Sequence, residues 1–211
     1  DNCNNTSTSS QTINVQDVTP PVIAPLPAIS TINCPAVPNF ATATATDACG
    51  GTVTLTFADV TTPGNCLGNY SITRTWTAKD NCNNTSTSSQ TINVQDVAIP
   101  NITIQAASQT VECDGAGNTD ALAAWLASNG GASATDTCSG VTWTNNYSGS
   151  LSDLCGLTGS ATVIFTATDA CGNSSSSTGT FTIQDTTDPT ISTQAASQTV
   201  ECDGAGNTDA L

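Results

Sequence analysis

Ten cysteines and a scatter of isolated aspartates are the residues of this 211-residue chain best equipped for chemistry. Histidine is absent, and Arg74 and Lys79 are the only cations against 17 acidic residues, a net charge of −15. Without histidine no His-based triad or general base can be assembled. One lysine cannot supply a Ser–Lys pair, or a Lys–Asn cross-link, in each half of a repetitive chain. Most aspartates stand in turn contexts, where they cap and form Asx-turns. No enzyme is expected. The acidic balance also argues against nucleic-acid or anionic-membrane partners, which need basic patches. No run of 18 apolar residues is present, so no membrane-spanning helix is expected.

The cysteines recur together with the sequence around them. "DNCNNTSTSSQTINVQDV" fills residues 1–18 and returns unchanged at 80–97; "QAASQTVECDGAGNTDAL" fills 105–122 and returns at 194–211. Self-similarity at this period marks an array of domains. The expected division is a repeat over 19–97 and a related one over 98–186. Residues 1–18 read as the C-terminal part of a preceding repeat, and 187–211 as the N-terminal part of a following one. Units of 80–90 residues with 4% aromatics build marginal cores and need staples. Regularly spaced cysteines in small domains belong to oxidising compartments, so an extracellular, cell-surface location is expected.

The elements that position these residues are strands. "TVTLTFAD" puts Val53, Leu55 and Phe57 on one face; "SATVIFTATD" offers Ala161, Val163, Phe165 and Ala167; Ile92 and Val94 match Phe181 and Ile183. Strict alternation rich in Thr and Val predicts half-buried antiparallel strands, and the turns "DACGG", "TTPGN" and "DNCNN" between them predict a β-sandwich. The fold class expected is all-β, tandem immunoglobulin-like sandwiches. Arg74 interrupts the Ile72–Trp76 face and is expected to snorkel at a sheet edge. "NTDALAAWLASNGG" breaks the pattern: Leu122, Trp125 and Leu126 share a helical face, Thr119 suits the N-cap and Gly130 the C′ position. A short helix over about 118–130 is expected to lid the second core.

The segments "ATATDACGG", "YSITRTWTAKDNCNNTSTSSQTINVQD" and "GSATVIFTATDACGNSSSSTGTFTIQD" resemble HYR-like, immunoglobulin-like repeats, most nearly those of very large gliding-motility adhesins on the surface of Bacteroidetes. The resemblance implies a secreted surface filament serving adhesion or gliding, with no catalytic residues. The partners expected are neighbouring repeats of the same chain, with like chains in a bundle or a surface glycan as further candidates.

Four cysteines per repeat allow three pairings. In an immunoglobulin-like path Cys34 and Cys66 fall at one end of the first repeat and Cys49 and Cys82 at the other. Strands of about seven residues separate the ends by roughly 23 Å, and a disulfide needs Cα atoms within about 7 Å. Cys34–Cys66 and Cys49–Cys82 are therefore favoured, with Cys113–Cys155 and Cys138–Cys171 equivalent. Cys34–Cys66, Cys49–Cys82 and Cys138–Cys171 each close a loop of just over thirty residues, and Cys113–Cys155 one of just over forty, each worth about 3–4 kcal/mol in the chain-entropy model. A rival scheme joins Cys3–Cys34, Cys82–Cys113 and Cys171–Cys202, with Cys49–Cys66 and Cys138–Cys155. Zinc is not expected, since there is no C-x₂-C pair and no histidine.

The carboxylates suit a hard cation better. Asp17 and Asp96 close "QD" linkers that meet the loops of the next repeat, carrying Asp47 with Asp80 or Asp136 with Asp169. Two or three carboxylates with loop carbonyls make a calcium site conceivable at each junction; the simpler reading is that these aspartates form turns. No other cofactor is expected. The function expected is a disulfide-stapled structural spacer in an adhesin or filament. The alternative is a glycan- or surface-binding module acting through loops or the Trp125 helix.

Overall fold

A computed structural model describes residues 2–152, 156–202 and 204 of the chain. In the first repeat β2 (Ser30–Asn33), β4 (Thr54–Pro63), β5 (Tyr70–Lys79) and β6 (Thr85–Gln95) form one sheet in the order β2-β6-β5-β4. A small second sheet pairs β1 (Val22–Ile23) with β3 (Ala45–Thr46). The second repeat reproduces this plan. Strands β8 (Gln109–Glu112), β10 (Val141–Asn145), β11 (Gly159–Asp169) and β12 (Ser174–Gln184) are ordered β10-β11-β12-β8. Opposite them β7 (Asn101–Ile104) pairs with β9 (Ser133–Thr135). The described residues are all-β with one short helix, as expected.

The long hairpins carry the alternation read from the sequence. Trp76, Ala78, Ile92 and Val94 are buried in the first repeat, and Val163, Phe165, Ala167, Phe181 and Ile183 in the second. One expectation about the ladder needs correction. The edge strands β2 and β8 run parallel to β6 and β12. Each is reached by a crossover from the small sheet, and no hairpin turn forces it antiparallel.

The helix expected over 118–130 is found as α1 (Thr119–Ala127), followed by a 3₁₀ turn over Asn129–Gly131. Its caps differ from the expected ones. Asn118, at φ 51°, is the N-cap residue, and Thr119 is the first helical residue. The Asn118 side chain is spent outside the helix, accepting from the Asp114 amide and donating to the Glu112 carbonyl. At the other end Ser128 is the C-cap and Asn129, at φ 55°, precedes Gly130 in the left-handed region.

What α1 does is clear from Trp125, which is 4% exposed. Its ring stands edge-on to Phe165 at 5.1 Å and tilted against Phe181 at 5.6 Å, while Nε1 donates to the Ala107 carbonyl at 2.9 Å. Room for the indole comes from Gly179 in β12, where a Cβ would lie 2.9 Å from Trp125 Cζ2. The first repeat has no such helix and carries Gln90 at the corresponding place. There the segment around Phe40 closes the core, with Phe40 edge-on to Trp76 and the Ala41 amide donating to Gln90 Oε1.

Arg74 replaces Val163 in the first core, and it is more than a snorkelling side chain. Its guanidinium meets Asp59 through two hydrogen bonds of 2.7 and 2.8 Å and lies 3.9 Å from the Phe57 ring centre and 4.5 Å from that of Phe40. Phe57 stays 59% exposed on its outer side.

Candidate functional site

The sheet registers place the cysteines at the two ends of each repeat. Asn33 pairs with Gln95 and Tyr70 with Val94, so Cys34 and Cys66 lie at the far end of the first repeat, where the chain leaves for the second. Thr54 pairs with Lys79, so Cys49 and Cys82 lie at the near end, where the chain arrives. The second repeat is built alike: Val141 pairs with Asp169, and Cys138 and Cys171 sit at its near end.

The pairing, however, crosses the junction. Cys34 is bonded to Cys138 and Cys66 to Cys171, with Cα–Cα distances of 6.0 and 5.1 Å, inside the usual disulfide range of about 4.4–6.8 Å. The expected Cys34–Cys66 and Cys138–Cys171 bonds are not made, nor is Cys49–Cys82, whose members are exposed thiols. The rival scheme fails too, since Cys82 and Cys113 are both free. Cys155, the expected partner of Cys113, lies outside the described residues. Each cysteine pair does fall at one end of its repeat; the partners lie elsewhere because the far end of one repeat faces the near end of the next across a linker of a few residues.

That linker is held from both sides. The Asp96 amide donates to Asn69 Oδ1 of the first repeat at 2.6 Å, and Asn173 Nδ2 of the second donates to the Asp96 carbonyl at 3.3 Å. Pro100 is fully buried, and its carbonyl accepts from Ser175 Oγ at 2.7 Å. The loop before β5 closes over the joint: the Leu67 carbonyl oxygen lies 3.3 Å from Cys171 Sγ of the second repeat. Gly68, at φ +103°, lies so near that a Cβ would stand 3.1 Å from the Asp96 side chain. A side chain there would push the repeats apart.

Of the six candidate calcium ligands, the structure gathers four, in two pairs. Asp96 and Asp136 carboxylate oxygens and Cys138 Sγ lie within 4.8 Å of one another, and Asp17, Asp47 and Cys49 do the same. Cys138 is oxidised and offers no thiolate, so the inner site is two carboxylates. Asp136 Oδ1 accepts the Cys138 and Ser139 amides at 2.8 and 2.9 Å, and Asp96 Oδ1 accepts the Ala98 amide. Asp96 Oδ2 is buried with no hydrogen-bond partner, as is Asp47 Oδ2. An unpaired buried carboxylate oxygen is costly, and a cation would satisfy it.

Asp80 and Asp169 are not part of these pairs. Each closes a turn, taking the side chain and amide of Asn84 or Asn173 at 2.8–2.9 Å. Burial alone would raise both carboxyls, but bonds from that asparagine and from the amides of Cys82 and Asn83, or Cys171 and Gly172, hold them below the usual range. The Trp125 helix offers no stacking surface, its indole being buried and its N–H engaged. Sequence reasoning missed Asn69, Asn173 and Gly68 as junction residues. The repeated "DNCNN" and "DACGN" turns were the available signal for the asparagines at 84 and 173.

Comparison with known proteins agrees with the cysteine count. Residues 22–94 match the family model described as an HYR-like domain with 4 cysteines, a span that contains Cys34, Cys49, Cys66 and Cys82. No curated protein matches the chain. Among solved structures, Drosophila N-cadherin EC1-4 is similar at 11% identity and a TM-score of 0.36, over 79% of this chain and 50% of that one. The chain thus spans half the length of that fragment. Mouse Cadherin-23 EC22-24 is similar at 13% identity, TM-score 0.31, over 78% and 67%. Human mucin-like protocadherin EC1-2 is similar at 9% identity, TM-score 0.34, over 78% and 98%. Over residues 22–94 the first repeat is thus similar to an HYR-like domain with four cysteines.

Proposed function

We propose that this chain is a structural segment of a long extracellular adhesin or filament, a spacer whose repeats are clamped into a rod. The observation that carries the reading is the pair of disulfides joining one repeat to the next. A single bond is a hinge; two bonds, with Asp96 and Pro100 buried between them, oppose bending. Disulfides persist in oxidising surroundings, which supports a location outside the cell. The solvent faces of the hairpins are Thr and Ser, and the acidic surface keeps such a rod soluble. Surface adhesion or gliding in a Bacteroidetes-type filament rests on the resemblance of the quoted segments. A calcium ion between Asp96 and Asp136 would stiffen the same joint, and the unpartnered Asp96 Oδ2 supports it. Melting with millimolar calcium against chelator tests this: an upward shift is expected, abolished by Asp136→Asn.

Single-molecule stretching tests the spacer reading. Between Cys34 and Cys138 the chain separation is 104 residues, about 360 Å of contour at ~3.5 Å per residue. The oxidised protein should never yield that length under load, and the reduced protein should. Equal full extension in both states would contradict the clamp.

A further inference from the structure

The near end of the first repeat has the same construction as the near end of the second, and its two cysteines are unused. Asp17 is seated there as Asp96 is at the inner junction: Asn84 Nδ2 donates to its carbonyl at 3.2 Å, and its Oδ1 accepts the Thr19 amide at 3.0 Å. Pro21 is fully buried, and its carbonyl accepts from Ser86 Oγ, as that of Pro100 does from Ser175. Asp47 takes the Cys49 amide at 2.8 Å, as Asp136 takes that of Cys138. The carboxylates of Asp17 and Asp47 gather beside Cys49 as those of Asp96 and Asp136 gather beside Cys138. The linker seat, the buried proline, the paired aspartates and the two cysteines of the clamped joint are all present here, without the far end that completes them.

The chain leading into this face is also the same. Residues 1–18 repeat 80–97 letter for letter. Ile92 and Val94 are each 3% exposed in β6, whereas their counterparts Ile13 and Val15 are 78% and 93% exposed. The segment has the apolar face of a central strand and no sheet around it. A repeat completed on that strand would leave it through the same "QDV" linker, held by the same contacts. Its far end would therefore meet Cys49 and Cys82 as the first repeat's far end meets Cys138 and Cys171.

We propose that the Cys49/Cys82 face is a disulfide docking face for the far end of another repeat of the same kind, whose counterpart of Cys34 bonds Cys49 and whose counterpart of Cys66 bonds Cys82. Each bond forms by exchange with a small disulfide oxidant of the glutathione class: two thiols lose two protons and two electrons, and the oxidant leaves as two thiols. The rule that follows is general along the array. The first and third cysteines of a repeat bond the second and fourth of the next.

The test uses the full chain extended at its N-terminus by a second copy of residues 19–79, which with residues 1–18 completes a repeat. Ala36→Ser and Leu67→Val in the added copy, both at exposed positions, label its peptides by mass. The protein is refolded in a glutathione buffer, digested with pepsin at low pH without reduction, and mapped by mass spectrometry. The expected links are labelled Cys34 to Cys49 and labelled Cys66 to Cys82, with Cys34–Cys138 and Cys66–Cys171 unchanged. A Cys49–Cys82 link, a bond between the two labelled cysteines, or free Cys49 and Cys82 beside an intact inner junction would each overturn the proposal. Loss of the inner links as well would instead remove the clamp on which the spacer reading rests. Cys49→Ser in the original repeat should lose the labelled Cys34 link and retain labelled Cys66–Cys82 together with both inner links.

Discussion

Gly179 gives the sharpest test of how the second repeat is packed. Its backbone φ is not in the left-handed region, so the chain does not need glycine there. In a strand interior glycine is worse than alanine by roughly 0.5–1 kcal/mol, and alanine would stabilise β12 if space allowed. Space does not allow it. The new Cβ would lie 2.9 Å from Trp125 Cζ2 and 3.1 Å from the Ala107 carbonyl oxygen. The indole has nowhere to go, being pinned by its bond to that carbonyl and by Phe165 and Phe181. Overpacking of this kind costs about 1–3 kcal/mol, so Gly179→Ala should destabilise the second repeat by a net ~1–2 kcal/mol. Trp125→Ala alone should cost about 3–5 kcal/mol. Once the ring is gone the closer contact is gone and the Ala107 carbonyl, no longer held by the indole, needs to give by only a few tenths of an ångström, so adding Gly179→Ala should then be neutral or stabilising. Calorimetric melting of the four proteins reads the cycle, with the first repeat's transition as an internal standard. A change of sign between the two backgrounds is the expected result. Additive effects would refute the claim that glycine is there to seat Trp125; Trp125→Leu replaces the alanine variant if that one does not fold.

Three further outcomes follow from the contacts described. With Cys34–Cys138 intact, the second bond closes a ring of about 65 residues through the 34–66 and 138–171 arms. Cys171→Ser should therefore cost about 4 kcal/mol against global unfolding, read by denaturant titration. Arg74→Ala removes the cation between Phe57 and Phe40 and strands Asp59; the first repeat's transition should fall by about 1 kcal/mol, with the second repeat's unmoved. Hydrogen bonds hold the Asp80, Asp114, Asp169 and Glu112 carboxyls below their ordinary values, as the Arg74 pair does for Asp59. Groups depressed in the folded state stabilise it above their unfolded pKa and cease to as pH falls through the folded one. Melting temperature should stay level from pH 7 to about 5 and drop below about 4, less steeply in Asn173→Ala.

The hairpins were legible because their alternation is local. Val163, Phe165 and Ala167 against Phe181 and Ile183 state a buried face without reference to anything distant. The helix was legible from Leu122, Trp125 and Leu126, but not its caps, because Asn118 is fixed by Asp114 and Glu112 and the local cap preference of Thr119 loses to them. Arg74 looked like an edge residue because its partner Asp59 lies 15 positions away and faces it only once β4 and β5 are in register. The cysteines divide the same way. Which end each occupies follows from strand count, and so could be read. Which cysteine each meets depends on how one repeat stands on the next, set by Asn69, Gly68 and Asn173 around Asp96, and no periodicity records that.

A clamped rod requires the joint between the repeats to be covalent. Unreduced peptide mapping of the 211-residue chain, refolded in a glutathione buffer and digested at low pH, addresses it directly. Fragments linking Cys34 to Cys138 and Cys66 to Cys171 are the predicted result, and they make the two repeats a clamped rod. Fragments linking Cys34 to Cys66 and Cys138 to Cys171 would contradict it, leaving separately stapled beads whose stiffness rests on the linker alone.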